Sequence, residues 1–393
     1  METLTGRSVF SGKPVKINFQ DGKILGVDEA AGNSTAAEFP AAAESPALDY
    51  ISPGFLDIQV NGFTGIDYSL ENLESSQIIT LIKRLGASGT SRHLATFVTM
   101  DEELLKRNLA LCSELMENDP LAGACIEGFH LEGPFISTED GPRGAHNKKY
   151  AALPDFKRFE KWQEAAGGKI KLITLAPELP GAIPFIREAV KSGVKVALGH
   201  LAASADQLRE AIEAGACCST HLGNGSHAML PRLKNYIWEQ MARETLTASI
   251  ICDGFHLPGA VVKVTLRAKG LERLVLISDG ALLGGCKSGR YQWNDQEVEV
   301  GADGQLLLAG TDFLAGAGHL LDWDIVRFME FTGTPLGQTI SLCTENPARL
   351  LDVDSPGFAA GRRADLIVFS YSPGDKTLHV KKTVSSGMVV FEE

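Results

Sequence analysis

From residue 51 onward, short apolar runs alternate with longer amphipathic stretches whose apolar positions recur about every 3.6 residues. That alternation is the pattern of strands each followed by a helix. The apolar runs fall at 54–60, 92–99, 126–131, 170–175, 195–198, 217–220, 248–252 and 274–278. Between them, the spacing predicts helices over 73–85, 102–116, 183–192, 205–214 and 258–269. Eight such units predict an α/β fold, a (β/α)8 TIM barrel. An open doubly wound sheet would carry a glycine-rich fingerprint in its first strand–helix turn, and none opens this region.

The chain ends have a different rhythm. Residues 9–13 and 15–19 alternate, Asp21-Gly22 signals a turn, and 24–27 reads as a short strand. An alanine-rich stretch, 30–47, separates this unit from the barrel pattern. Residues 361–369 and 383–391 again read as strands. Both ends being β, they are expected to meet in one small, sandwich-like discontinuous domain (1–50 and 356–393) beside a catalytic barrel over 51–355. No repeat of fixed period runs through the chain.

Composition narrows the function classes. With 393 residues, 44% hydrophobic and 22% charged, the chain can bury a substantial core. Its 37 basic and 49 acidic residues sum to -12, without runs of like charge, so nucleic acid is not an expected partner. The longest apolar runs, near 248–252 and 274–277, fall far short of the ~20 residues of a membrane span. The start, Met1-Glu2-Thr3-Leu4, shows no secretory signal, so a cytoplasmic address is expected. Seven cysteines without C-x-x-C spacing argue against a disulfide framework or a thiolate zinc site. Cys217 and Cys218 read as core thiols rather than nucleophiles.

In a barrel, polar residues just past the C-terminal ends of strands are the candidates for chemistry. Gln59 with Asn61 follows the first run, Glu132 the third, His200 the fifth, His221 the sixth and Asp279 the eighth. A lone buried histidine is commonly a core residue with a local partner. Two histidines and two carboxylates at the same end of successive strands instead suit a metal hydrolase, with ligands for a divalent ion, an open position for water and a base.

These residues sit in Pro53-Gly54-Phe55-Leu56-Asp57-Ile58-Gln59-Val60-Asn61-Gly62, His130-Leu131-Glu132-Gly133-Pro134, Gly144-Ala145-His146, Leu198-Gly199-His200, Thr220-His221-Leu222, Asp253-Gly254-Phe255-His256 and Ser278-Asp279. In that order and spacing the sequence resembles the amidohydrolase superfamily, and within it the deacetylases of phosphorylated amino sugars. Many superfamily members have H-x-H at the first motif and hold a second metal there. Gln59 and Asn61 stand in those places, so the resemblance implies a single divalent ion per subunit on Glu132, His200 and His221, zinc first and iron(II) as the alternative. It further implies metal-dependent hydrolysis of the N-acetyl amide of an amino sugar 6-phosphate, with N-acetylglucosamine 6-phosphate giving glucosamine 6-phosphate and acetate. Asp279 is then the base that takes a proton from water and delivers it to the leaving amine. Ala145, His146, Asn224 and Gly225 are expected at the sugar or the oxyanion, and Leu314, Ala315 and Gly316 match a backbone contact to substrate. Arg232 and His256 match the groups that hold the phosphate, and the resemblance also implies a homodimer with an arginine reaching across.

The loop from His221 to Asn235 and the segment Asp279-Gly280-Ala281-Leu282 depart from the usual family wording. His227 and Lys234 are extra cationic groups in that loop, so a different anion or a different mode of holding it stays open. A cyclic amidase or deaminase would keep the metal and Asp279 but have no use for Arg232 and His256. A non-catalytic scaffold of the same fold would lack the ligand set. His93 and His319 carry no assigned role, and His379 is expected to be exposed.

Overall fold

The computed structural model describes residues 1–29, 49–293, 296–311 and 313–393; the alanine-rich stretch 30–47 lies outside the described residues. Eight strands form one parallel sheet in sequence order: β1 (Phe55–Val60), β2 (Thr90–Val98), β3 (Ile126–Glu132), β4 (Ile170–Leu175), β5 (Lys195–Leu198), β6 (Cys218–Ser219), β7 (Thr247–Ile250) and β8 (Leu274–Leu276). The chain beyond β8 closes the sheet on β1. The Asp279 N–H donates to the Gln59 carbonyl at 3.0 Å and the Asn61 N–H to the Gly280 carbonyl at 3.0 Å.

Alternation along each strand explains why the apolar runs are nearly continuous. Leu56, Ile58, Leu94, Leu172, Ala197, Cys218, Val275 and Ile277 fill the barrel, whereas Phe129, Ile173, Val196 and Leu198 face outward under the helices. Both faces are covered, as parallel sheets require. The surrounding helices are capped by their own sequence. Asp101 accepts from the Glu103 and Leu104 N–H groups at the start of Glu102–Asn118, and Ser204 with Gln207 forms a capping box before Ala205–Glu213.

Seven strands from the chain ends, Glu2–Ser8, Pro14–Gln20, Lys23–Glu29, Tyr50–Pro53, Leu366–Ser370, His379–Ser385 and Met388–Glu392, make a second sheet. Tyr50–Pro53 joins its halves, pairing parallel with Glu2–Ser8 and antiparallel with Leu366–Ser370. The far edge curls back: Ile24 and the 361–362 backbone exchange hydrogen bonds of 2.8 and 2.9 Å around a core of Val15, Ile17, Phe19, Ile51, Leu366 and Val384. A buried ion pair, Arg92 Nε to Asp365 Oδ2 at 2.9 Å, ties this sheet to β2.

Two features differ from the expected pattern. Residues 9–13 form a turn, not a strand; the Gly12 N–H closes on the Ser8 carbonyl at 2.8 Å, and the strand before it, Glu2–Ser8, is polar enough to escape the alternation test. After β8, Gly289–Trp293, Gln296–Val300 and Leu306–Leu308 form a three-stranded antiparallel sheet that the eight-unit count had no place for. No helix among the described residues is long and apolar enough to cross a membrane.

Candidate metal centre and active site

The C-terminal ends of the barrel strands bring the chemistry to one place. Glu132 is the last residue of β3, His200 and His221 lie two residues beyond β5 and β6, and Asp279 lies three beyond β8. His200, His221 and Asp279 have φ of 52°, 30° and 49°, a left-handed conformation that side chains other than glycine avoid. Such strain persists only where surrounding structure imposes it, and it concentrates at functional sites.

Glu132 Oε1 lies 2.8 Å from His221 Nε2 and 3.1 Å from His200 Nε2, and the two imidazole nitrogens are 3.1 Å apart. His200 Nδ1 donates to the Pro142 carbonyl at 2.8 Å, which fixes the tautomer and leaves a lone pair on Nε2. Three electron-rich atoms thus converge, and His221 Nδ1 is buried without a partner. That donor set fits a divalent ion of zinc type. Among the described residues it is the one cluster of three such side chains. Burial would raise the Glu132 carboxyl, but the hydrogen bonds with His200 and His221 outweigh it and hold Glu132 well below the usual carboxylate range. Glycine is required around this centre: a Cβ on Gly225 would stand 2.7 Å from His200 Nδ1, and one on Gly144 would stand 3.1 Å from its Cε1.

Gln59 and Asn61 act as amide donors to the carboxylates. Gln59 Nε2 reaches Glu132 Oε1 at 2.9 Å and Asp279 Oδ1 at 3.1 Å, and Asn61 Nδ2 reaches the same Asp279 oxygen at 2.7 Å. Burial first, and the Glu132 charge second, push Asp279 up to about 7. His146 holds Thr99 Oγ1 at 2.9 Å through Nδ1 and places Nε2 3.1 Å from His200 Nε2. Burial and the neighbouring His200 push it down to about 3, so it is neutral near pH 7. His256 is set by Asp253, whose Oδ2 lies 2.7 Å from Nδ1.

A cavity of about 280 Å³ joins these groups. Of the sequence-derived candidates, Asn61, Glu132, Ala145, His146, His200, His221, Asn224, Gly225, His256, Asp279, Leu314 and Gly316 line it. Gln59 lies buried beneath the carboxylates, and Ala315 is buried between two lining neighbours. Arg232 is exposed and outside the cavity, and no lysine or arginine lines it among the described residues. His227 sits between Glu139 Oε2 and Tyr236 Oη at 3.0 Å each, and the neighbouring Lys234 is exposed. His93 is buried against Tyr68 Oη at 2.6 Å, and His319 stacks on Trp323. Burial pushes the Cys217 and Cys218 thiols up, away from reactivity.

Asp67, Thr99 and Trp293 also line the cavity but were not singled out in the sequence. Thr99 directly follows β2, so the strand-end criterion that found the others extends to it. Asp67 lies in a short hairpin with Gly62, and Trp293 lies in the added sheet. Neither position follows a barrel strand.

The sequence matches the profile of the Amidohydrolase family over residues 50–390. The chain belongs to the amidohydrolase family. This amidohydrolase is 32% identical over 359 residues to the N-acetylglucosamine-6-phosphate deacetylase of Bacillus subtilis (strain 168), covering 90% of this chain and 88% of that one. It is 32% identical over 356 residues to the protein of that name from Bos taurus, covering 87% and 83%. Among solved structures, a mutant of the Mycobacterium smegmatis N-acetyl-D-glucosamine-6-phosphate deacetylase, in complex with N-acetyl-D-glucosamine-6-phosphate, superposes with TM-score 0.85 at 28% identity over 99% of both chains. The Thermotoga maritima N-acetylglucosamine-6-phosphate deacetylase shares the fold, with TM-score 0.84 at 24% identity over 100% of both.

Proposed function

We propose that this amidohydrolase hydrolyses the N-acetyl amide of N-acetylglucosamine 6-phosphate to glucosamine 6-phosphate and acetate, with one divalent ion, zinc first and iron(II) second, on Glu132, His200 and His221. The observation that carries this reading is one small cavity joining that donor set to Asp279 and His146. The long matches to proteins of that name supply the substrate class.

When bound, the ion supplies Lewis acidity to the amide carbonyl and to a water. Asp279, anchored by Asn61 and Gln59, takes the water's proton and passes it to the departing nitrogen. His146, neutral at physiological pH, donates from Nε2 toward the carbonyl oxygen as it gains charge. Ala145, Asn224, Gly225 and the 314–316 backbone hold the sugar. His256, oriented by Asp253, faces the phosphate. Arg232 stands outside the cavity, and the homodimer that the resemblance implies gives it a route to the phosphate of a neighbouring subunit. In this reading the barrel over 51–355 carries the chemistry, the split β domain (1–50 and 356–393) supports it, and the enzyme works in the cytoplasm.

A second reading, deacetylation of an unphosphorylated N-acetyl sugar, is favoured by the lack of a lining lysine or arginine among the described residues. Acetate release from N-acetylglucosamine 6-phosphate, its galactosamine epimer and the two unphosphorylated sugars separates the readings. Turnover confined to the phosphorylated glucosamine substrate supports the first. Turnover confined to unphosphorylated sugars removes His256 and Arg232 from phosphate binding.

A further inference from the structure

The groups assigned so far meet the acetamide, the polar groups of the sugar and the phosphate, and none of them offers an aromatic face to the apolar side of the ring. One wall of the cavity carries such a face. Strand Gly289–Trp293 ends at Trp293, which pairs antiparallel with Gln296. The half-buried Trp293 ring packs on a cluster of Ala281, Leu283, Val298, Leu306 and Ala315, and it also lines the cavity that contains Glu132, His200 and His221. Ala281 lies two residues beyond Asp279, so one apolar cluster sets both the loop leaving Asp279 and the position of the indole. No other Phe, Tyr or Trp lines the cavity among the described residues. At about 280 Å³ the cavity is at the small end for ligand sites, so a ligand seated at the metal donors meets the remaining walls.

We propose that Trp293 is a specificity-determining residue that stacks its indole on the apolar C–H face of the substrate's pyranose ring while the acetamido group sits at the metal donors; this rests on the sugar deacetylase reading above. An indole offers a large, rigid apolar surface with little conformational entropy to lose. The contact is made equally before and during reaction, so it acts on binding and not on the chemical step.

The test is steady-state deacetylation of N-acetylglucosamine 6-phosphate by metal-loaded wild type, Trp293→Ala and Trp293→Phe, together with bound metal per chain. The expected result is a KM about 10-fold higher for Trp293→Ala with kcat within about twofold, recovery of most of that loss in Trp293→Phe, and unchanged metal content. A second arm uses Asp279→Asn protein, in which titration with the same substrate should change tryptophan fluorescence. That change should vanish when Trp293→Phe is added, and this arm decides the matter even if Trp293→Ala does not fold. An unchanged KM, a fall in kcat at constant KM, or a fluorescence change that survives Trp293→Phe overturns the inference while leaving the deacetylase reading in place. A wild type that releases no acetate overturns both.

Discussion

Two imidazole nitrogens 3.1 Å apart, each also against the Glu132 carboxylate, bring together a donor set that a divalent cation would hold in place. Glu132→Ala removes the negative member, so bound metal, measured on the purified protein by elemental analysis, should fall from about one ion per chain to nearly none. Unchanged metal content would mean that the donors lie elsewhere. Asp279→Asn keeps the donors and the hydrogen-bonding shape but removes the base, so metal should stay bound while turnover falls at least ~10²-fold. The sign of the pH effect follows from the same residue. Asp279 works ionised, so kcat/KM is lost as pH falls through its pKa. Burial and Glu132 place that pKa at about 7 in the protein alone, and a cation beside it moves it lower. The acid limb of the profile should therefore lie below pH 7 and be missing from the residual activity of Asp279→Asn; a limb that survives the substitution assigns it to another group.

At the scale of elements, the eight barrel strands could be read from the sequence because each is buried on both faces and written as a mostly apolar run, broken only by a few polar residues such as Asp57, Arg92 and His130. The placement of Glu132, His200, His221 and Asp279 followed, since each stands within three residues of a run's end. What could not be read has physical reasons. The Glu2–Ser8 strand is polar and half-exposed, the 289–308 sheet is an addition to a barrel already complete, and Asp67 reaches the cavity from a two-residue strand. The exposed position of Arg232 depends on how a loop is draped, which periodicity does not encode. The link between sheets gives a prediction at this scale. Arg92→Ala takes one of two guanidinium partners from the fully buried Asp365, leaving Arg363 on its other oxygen, removes a partner of Glu127 as well, and empties a place in the interior. Chemical denaturation should show a loss of about 3 kcal/mol, and a variant as stable as wild type would mean that the pair does not tie the sheets together.

For the whole molecule, the -12 charge and the small volume of the cavity at the metal donors fit one compact ligand rather than a polymer. The barrel ends that converge on Glu132, His200 and His221 come from β3, β5 and β6, so an ion bound there joins three separate parts of the sheet and stabilises the folded chain by linkage. Chelation should lower the melting temperature of wild type but leave Glu132→Ala unaffected; equal shifts in both would place the stabilising ion at another site. The central claim, metal-dependent deacetylation at this centre, is tested most directly by acetate release from N-acetylglucosamine 6-phosphate with protein as loaded, after chelation, and after zinc or iron(II) is restored. The account predicts acetate release with the loaded protein, its loss on chelation and its return with the metal. Release undiminished by chelation, or none from fully loaded protein, would contradict it.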